Sequence, residues 1–207
     1  MPQRVQVAEL RPEQFRAAAE TLTRAFLDDP LWTFLLPDAE TRAENLRRLW
    51  ASVLRFSRVY GVIYTTPGTQ GVACWIAPGK TQMSLWQQVR TGMALPRALM
   101  SFPRDDRRRA MTVLQLIDRS HRELAREPHW YLLALGVAPE FQRQGIGGSL
   151  LEPVLRKANQ HGLLCYLDTE SEANVAFYAK REFEVVHEGI LPGSALRMWL
   201  MIRRPPR

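Results

Sequence analysis

Cysteine is nearly absent from this chain, with only Cys74 and Cys165 in 207 residues. They lie 91 positions apart in strand-like runs, with no Cys-x-x-Cys and no paired histidine nearby, so neither a disulfide framework nor a zinc site is indicated. We expect two reduced, half-buried thiols packed as small hydrophobes, and no metal. Long apolar runs are also missing. The longest, Trp130 to Ala138, is nine residues, against the roughly 20 needed to cross a bilayer. The start, Met-Pro-Gln-Arg-Val-Gln, has no apolar signal core, and a cytoplasmic protein without membrane contact is expected. Lysine is scarce too: 25 of the 28 cations are arginine, and the net charge is +7. That balance suits an anionic ligand. The cations are scattered, however, and a block such as Arg104-Asp105-Asp106-Arg107-Arg108-Arg109 reads as a solvated helix face rather than a binding stripe.

What is present is an ordinary globular composition, 46% apolar and 24% charged, with no repeat and no Gly/Ser linker. One domain over residues 1–207 is the simplest organisation, as a monomer or a homodimer. The run Arg4 to Leu10 alternates as a strand. Pro12 then opens a helix carrying Phe15, Ala18, Ala19, Leu22, Ala25 and Phe26, which Asp28-Asp29-Pro30 ends. A second helical pattern carries Leu46, Leu49, Trp50, Val53 and Leu54. Strand-like runs Tyr60 to Thr65 and Val72 to Ile76 flank Pro67-Gly68 as a hairpin. Residues 81–126 read as a helical insertion broken at Pro96 and Pro103, with Leu85, Val89, Met111, Leu114, Ile117 and Leu124 on buried faces. Trp130 to Val137 is a continuous apolar run, as expected of a central strand covered on both faces. Beyond it come a helix Gly147 to Gln160 capped by Gly162, a strand Leu164 to Leu167, a helix Ala173 to Arg181, and strands Phe183 to His187 and Ala195 to Ile202. The fold class is therefore mixed α/β. Trp32, Trp75, Trp86 and Trp130 are expected in the core.

Between the central strand and its helix runs Val137-Ala138-Pro139-Glu140-Phe141-Gln142-Arg143-Gln144-Gly145-Ile146-Gly147-Gly148-Ser149. Glycines before a helix let backbone N–H groups approach a ligand, and the first helical turn leaves donors free at a positive dipole end. This is an anion site in principle. No Walker Gly-x-x-x-x-Gly-Lys-Ser/Thr is present, and Leu150 stands where a dinucleotide fingerprint needs glycine.

The string Gln142-Arg143-Gln144-Gly145-Ile146-Gly147 resembles the Gln/Arg-x-x-Gly-x-Gly/Ala signature of the GNAT acyltransferase superfamily, preceded by Leu135, Val137 and Pro139 in that family's strand-end pattern. Asn174-Val175-Ala176-Phe177-Tyr178 with Phe183 is similar to its late helix, and Ala25-Phe26-Leu27-Asp28-Asp29-Pro30 with Val72-Ala73-Cys74-Trp75 is similar to the puromycin N-acetyltransferase-like branch. The resemblance implies a mostly antiparallel sheet of six to seven strands with helices on both faces, splayed at its centre. It also implies acetyl transfer from acetyl-coenzyme A to a primary amine in a ternary complex. The free amides from Arg143 to Ser149 (Arg143, Gln144, Gly145, Ile146, Gly147, Gly148, Ser149), with Gln142, would then hold the pyrophosphate. Leu135, Gly136 and Val137 would pair with pantetheine as an extra strand does, and the amide of Leu135 or Val137 would polarise the thioester carbonyl. Asn174 and Phe177 would line the arm, and Tyr178 would protonate the departing thiolate.

Two departures stand out. Glu182 occupies a position commonly glycine at the end of the late helix, and no carboxylate lies within Trp130 to Val137, where many members carry the general base. The base is left open among Asp168, Glu170, His129, Asp28 and Asp29. A non-catalytic acyl-coenzyme A-binding module and a basic nucleic-acid binder are the competing classes, the second without any recognised motif. The acceptor is a small amine of undetermined identity.

Overall fold

The computed structural model describes residues 5–81 and 84–206. Seven strands form one sheet: β1 (Ala8–Glu9), β2 (Gly61–Thr65), β3 (Gly71–Ile76), β4 (His129–Val137), β5 (Leu164–Thr169), β6 (Glu184–Ile190) and β7 (Arg197–Arg203). Their order is β1-β2-β3-β4-β5-β7-β6. Every neighbouring pair is antiparallel except β4 and β5. A parallel neighbour needs a crossover, and the helix α7 defined below supplies it. The expected mixed, mostly antiparallel sheet is thus observed.

The helices are α1 (Phe15–Phe26), α2 (Pro30–Leu35), α3 (Ala39–Tyr60), α4 (Leu85–Arg90), α5 (Ala94–Met100), α6 (Arg104–Leu124), α7 (Ile146–His161) and α8 (Glu172–Ala179). They cover both faces of the sheet. Against one face, α1, α3 and the inserted helices bury Leu22, Leu46, Leu54 and Phe56 with Val72 and Tyr166. Against the other, α7 and α8 bury Leu150, Leu151 and Val154 with Trp75, Cys165 and Leu167. Helix α1 sits close on β4 because residue 136 lacks a side chain. A Cβ there would come within 2.9 Å of Leu22 and 3.0 Å of Ala25.

Several elements differ from the sequence reading. The first strand shrinks to β1; Arg4 lies outside the described residues. Asp28-Asp29-Pro30 separates two helices instead of merely ending one: Asp29 caps α2 by accepting from the Leu31 N–H, and Pro30 takes the first position, where its missing donor is not needed. Pro96 sits in the first turn of α5 and breaks nothing, for the same reason. Pro153 lies inside α7, which continues through it. Both cysteines are fully buried rather than half-buried, and both thiols are pushed up to about 12 by burial. Trp86 is 70% exposed and not part of the core. Nor are Val89, Met111, Leu114 and Leu124 buried; the covered side of α6 is Asp106, Ala110, Val113 and His121, and the Leu85 side chain lies outside the described residues. The departure at Glu182 is real: it adopts φ +65° after α8, and its carboxylate reaches the buried Arg203 guanidinium at 2.6 Å.

Candidate active site

Strands β4 and β5 pair only over His129–Tyr131 with Leu164–Tyr166. Beyond Tyr131 they separate, and β4 keeps only its partner β3. Amides of an antiparallel strand point alternately to either side. The Ala138 N–H bonds Gln70 on the β3 side. Two residues back, Gly136 shares that direction, so Leu135 and Val137 aim their N–H groups into the gap. Gly136 therefore serves close packing of α1, not the gap. The Gln142 amide donates to the Val137 carbonyl at 3.1 Å and ties the glycine loop to the strand end.

That loop makes a 3-10 turn over Pro139–Phe141 and reverses through left-handed Arg143 (φ +60°) and Gly145 (φ +82°), which caps α7. Gln144 braces it by donating to the Glu140 carbonyl. The Ser149 N–H already bonds the Gly145 carbonyl. Ser149 is thus not a free donor as expected, and the first-turn amides left for an anion are those of Ile146, Gly147 and Gly148. Their setting fits a pyrophosphate: three unsatisfied donors at a helix N-terminus, preceded by glycine.

Tyr178 packs with the α7 face of the sheet yet lines a cavity on the opposite face, which it reaches through the gap. The cavity has a volume of about 670 Å³ and is bounded by α1, α2, α3, α5, α6, the middle of β4 and the end of β5. Asn174 lines it one helical turn from Tyr178 and donates to the Thr169 hydroxyl. Asp168, Glu170 and Asp29 lie on its wall. Asp168 accepts from the Tyr131 hydroxyl at 2.7 Å, yet burial raises its carboxyl to about 6. Burial, then the charges of Asp168 and Asp29, pushes Glu170 well above the usual carboxylate range. One Glu170 oxygen, Oε1, is buried without a hydrogen-bond partner. Burial also raises Asp29, against its bonds to the Leu31 and Trp32 amides. Asp28 is exposed and does not line the cavity. Tyr178 is held above its ordinary value first by burial and then by Asp168, against the Arg181 guanidinium.

His129, another candidate base, is committed elsewhere. Its Nδ1 bonds the Glu127 carbonyl at 2.6 Å and its Nε2 meets His121 Nε2 at 2.7 Å. A carbonyl only accepts, so His129 carries its proton on Nδ1 and His121 donates from Nε2. His121 stacks on Tyr166 with ring centroids 4.6 Å apart. Burial, reinforced by the neighbouring His129, lowers His121 from 6.5 to about 4.

These buried groups set opposite pH slopes on stability. Between about pH 4 and 6 the folded state holds a proton on Asp168 that the unfolded chain has lost, so this group favours folding less as pH rises. His121 binds a proton only when unfolded between about pH 4 and 6.5, so it favours folding more as pH rises. Each contributes on the order of 3 kcal/mol across its window, and Glu170 and His129 follow the sign of their neighbours. Chemical denaturation between about pH 4.5 and 6, a range inside both windows, is expected to give a shallow profile. In Asp168→Asn stability should climb with pH, and in His121→Asn it should fall. Identical profiles in both variants would refute the opposition.

The sequence reading overlooked Arg181. Its guanidinium lies 3.8 Å over the Phe177 ring, donates to the Phe177 carbonyl at 2.7 Å, and occupies the space where a Cβ on Gly148 would project. It brings a cation beside the free amides of α7. A cation at the end of a helix reads as ordinary capping in sequence, and only the approach of α8 to α7 reveals its place.

The split sheet thus places a donor row on one side of the gap and a hydroxyl with carboxylates, facing a cavity, on the other. Residues 81–183 match the family model described as Acetyltransferase (GNAT) family, and the chain carries a domain of the GNAT acetyltransferase family. It is an acetyltransferase of GNAT type. An uncharacterised N-acetyltransferase of Schizosaccharomyces pombe is 24% identical over 204 residues, covering 93% of this chain and 81% of that protein. Among solved structures, the fold is similar to that of histone acetyltransferase HPA2 and related acetyltransferase from Corynebacterium glutamicum (19% identity, TM-score 0.68, covering 99% of this chain and 98% of that one). It is also similar to mosquito arylalkylamine N-acetyltransferase like 5b (14% identity, TM-score 0.61, covering 97% and 99%). Among the described residues no helix is long and apolar enough to cross a membrane, and no group of three potential metal ligands occurs.

Proposed function

We propose that this chain transfers the acetyl group of acetyl-coenzyme A to a primary amine of a small acceptor, by direct attack while both are bound. The observation that carries this reading is that Tyr178 and the carboxylates Asp168 and Glu170 reach one cavity at the gap into which the Leu135 and Val137 amides point. When bound, acetyl-coenzyme A supplies an activated acetyl thioester. The residues of the chain do the rest. The amides of Ile146, Gly147 and Gly148, with Arg181 beside them, hold the pyrophosphate. Asn174 and Phe177 flank the pantetheine path. The Leu135 or Val137 N–H donates to the thioester carbonyl oxygen as negative charge builds there.

An alkyl ammonium must shed a proton before it attacks. Glu170 and Asp168, which share the cavity wall, accept that proton, and burial raises the affinity of both for it, that of Asp168 to about 6. The transfer has a second effect. Asp168 and Glu170 are among the charges that hold Tyr178 up, so neutralising them makes the phenol a better acid as the thiolate departs. Base and acid are thereby coupled across the gap. A cytoplasmic site of action accompanies this reading, in keeping with two reduced cysteines.

Coenzyme A release, followed with acetyl-coenzyme A and a panel of amines and peptides, tests the proposal. Acceptor-dependent release that falls at least about tenfold in Glu170→Gln is expected. Binding of acetyl-coenzyme A with no acceptor-dependent release would instead define a binding module.

A further inference from the structure

Resting on the amine-acetylation reading, we propose that the acceptor is a monoamine bearing a bulky apolar body, and that the inserted helix α6 selects it. Two features of the cavity carry this, and both depart from the rest of the molecule.

The first is charge. The protein as a whole is cationic, +7, but among the described residues the cavity wall carries four carboxylates and a single guanidinium. That guanidinium, Arg122, is neutralised by Asp118 on the preceding turn of α6 at 2.7 Å. The three remaining carboxylates, Asp29, Asp168 and Glu170, act on one another: Asp29 and Asp168 both raise Glu170. They therefore form one acidic end, beside Tyr178, and the unpartnered Glu170 Oε1 belongs to it. An ammonium belongs there. A second cation elsewhere in the cavity would find only Asp118, for which it must compete with Arg122.

The second is the apolar character of the remaining wall. Met111 and Leu114 follow the helical spacing of core residues, yet they stay 42% and 39% exposed, and both line the cavity. On the facing wall, Phe26 and Trp32 flank Trp50 with ring centroids at 4.7 and 5.5 Å. Apolar surface left uncovered on both sides of one space favours an occupant that covers it. The volume, about 670 Å³, lies within the roughly 300–1,000 Å³ of small-molecule sites. A solvated diamine or polyamine would bring a second charge into this apolar part and lose its hydration without a partner. Selection is thus written in α6 and the facing wall of α1, α2 and α3, and proton transfer at the end of β5.

Equilibrium binding to the coenzyme A complex, read by intrinsic tryptophan fluorescence to which the cavity-lining Trp32 and Trp50 contribute, tests selection independently of turnover. 2-Phenylethylamine is expected to bind at least about tenfold more tightly than 1,4-diaminobutane, and Leu114→Glu, at a half-open position that tolerates charge, should shrink or reverse that ratio. Equal or tighter binding of the diamine to the unaltered protein would overturn the proposal even if amines are acetylated. A ratio unmoved by Leu114→Glu would remove α6 as the selecting element. Selective binding without acetyl transfer to any amine would uphold the cavity's preference and refute the amine-acetylation reading instead.

Discussion

Tyr178→Phe is expected to lower turnover by roughly 10²- to 10⁴-fold while changing acetyl-coenzyme A affinity by less than about threefold. The hydroxyl is the only group lost. Tyr178 is buried against Phe177 and Phe183, with ring centroids at 5.0 and 5.7 Å, and those contacts survive in phenylalanine. A thiolate leaving group has an ordinary pKa of about 8.5 against about 10 for a phenol. In the free protein the gap is wider, because burial and the nearby carboxylates hold the phenol up. The coupling to Glu170 and Asp168 narrows it only after the ammonium has given up its proton. A loss confined to turnover, with KM little changed, is the signature of an interaction made in the transition state. Steady-state kinetics alongside calorimetric binding of acetyl-coenzyme A make the measurement. Turnover unchanged within about twofold would retire Tyr178 as the acid.

Gly147→Asp is expected to weaken acetyl-coenzyme A binding about 100-fold or more, a cost of ~3 kcal/mol. Its amide is the middle one of the three free donors at the start of α7. A carboxylate there would confront the pyrophosphate and compete for the same positive helix end. A Cβ at this position also lies 3.3 Å from the Phe177 Cζ, so the ring that flanks the pantetheine path must give way. Gly147→Ala separates the two effects: it carries the steric part alone and should cost about tenfold at most. Gly145→Asp acts by another route. Its backbone sits at φ +82°, where a side chain costs roughly 1 kcal/mol, and its carboxylate would fold back onto the amides as a helix cap and occupy them. Titration of acetyl-coenzyme A into each variant decides the matter. Affinity unaltered by both aspartates would move the phosphate site elsewhere.

Much of this protein follows from local sequence. The glycine spacing Gly145, Gly147, Gly148 after an apolar strand was sufficient to place a helix start with free first-turn amides, because left-handed backbone and unbonded N-terminal amides are properties of a few consecutive residues. Alternation and helical periodicity likewise located α1, α3, α7 and the central strands. Asn174 and Tyr178 fell on one face by the helical repeat alone. What local sequence could not supply was everything that depends on distant segments meeting. The partial pairing of β4 with β5 is a matter of register between strands separated by a whole helix. Whether Met111 and Leu114 lie in the core or along a cavity turns on how far α6 stands from α2 and α3, and periodicity reads the same in either case. Asp29, a helix cap by its neighbours, joins Asp168 and Glu170 only because the start of α2 and the end of β5 line one cavity, and the free choice among candidate bases narrows for the same reason. Affinity for a proton is set by burial and by charges brought close in space; the chain order of Asp29, Asp168 and Glu170 holds no trace of it, and only the packed structure brings them together.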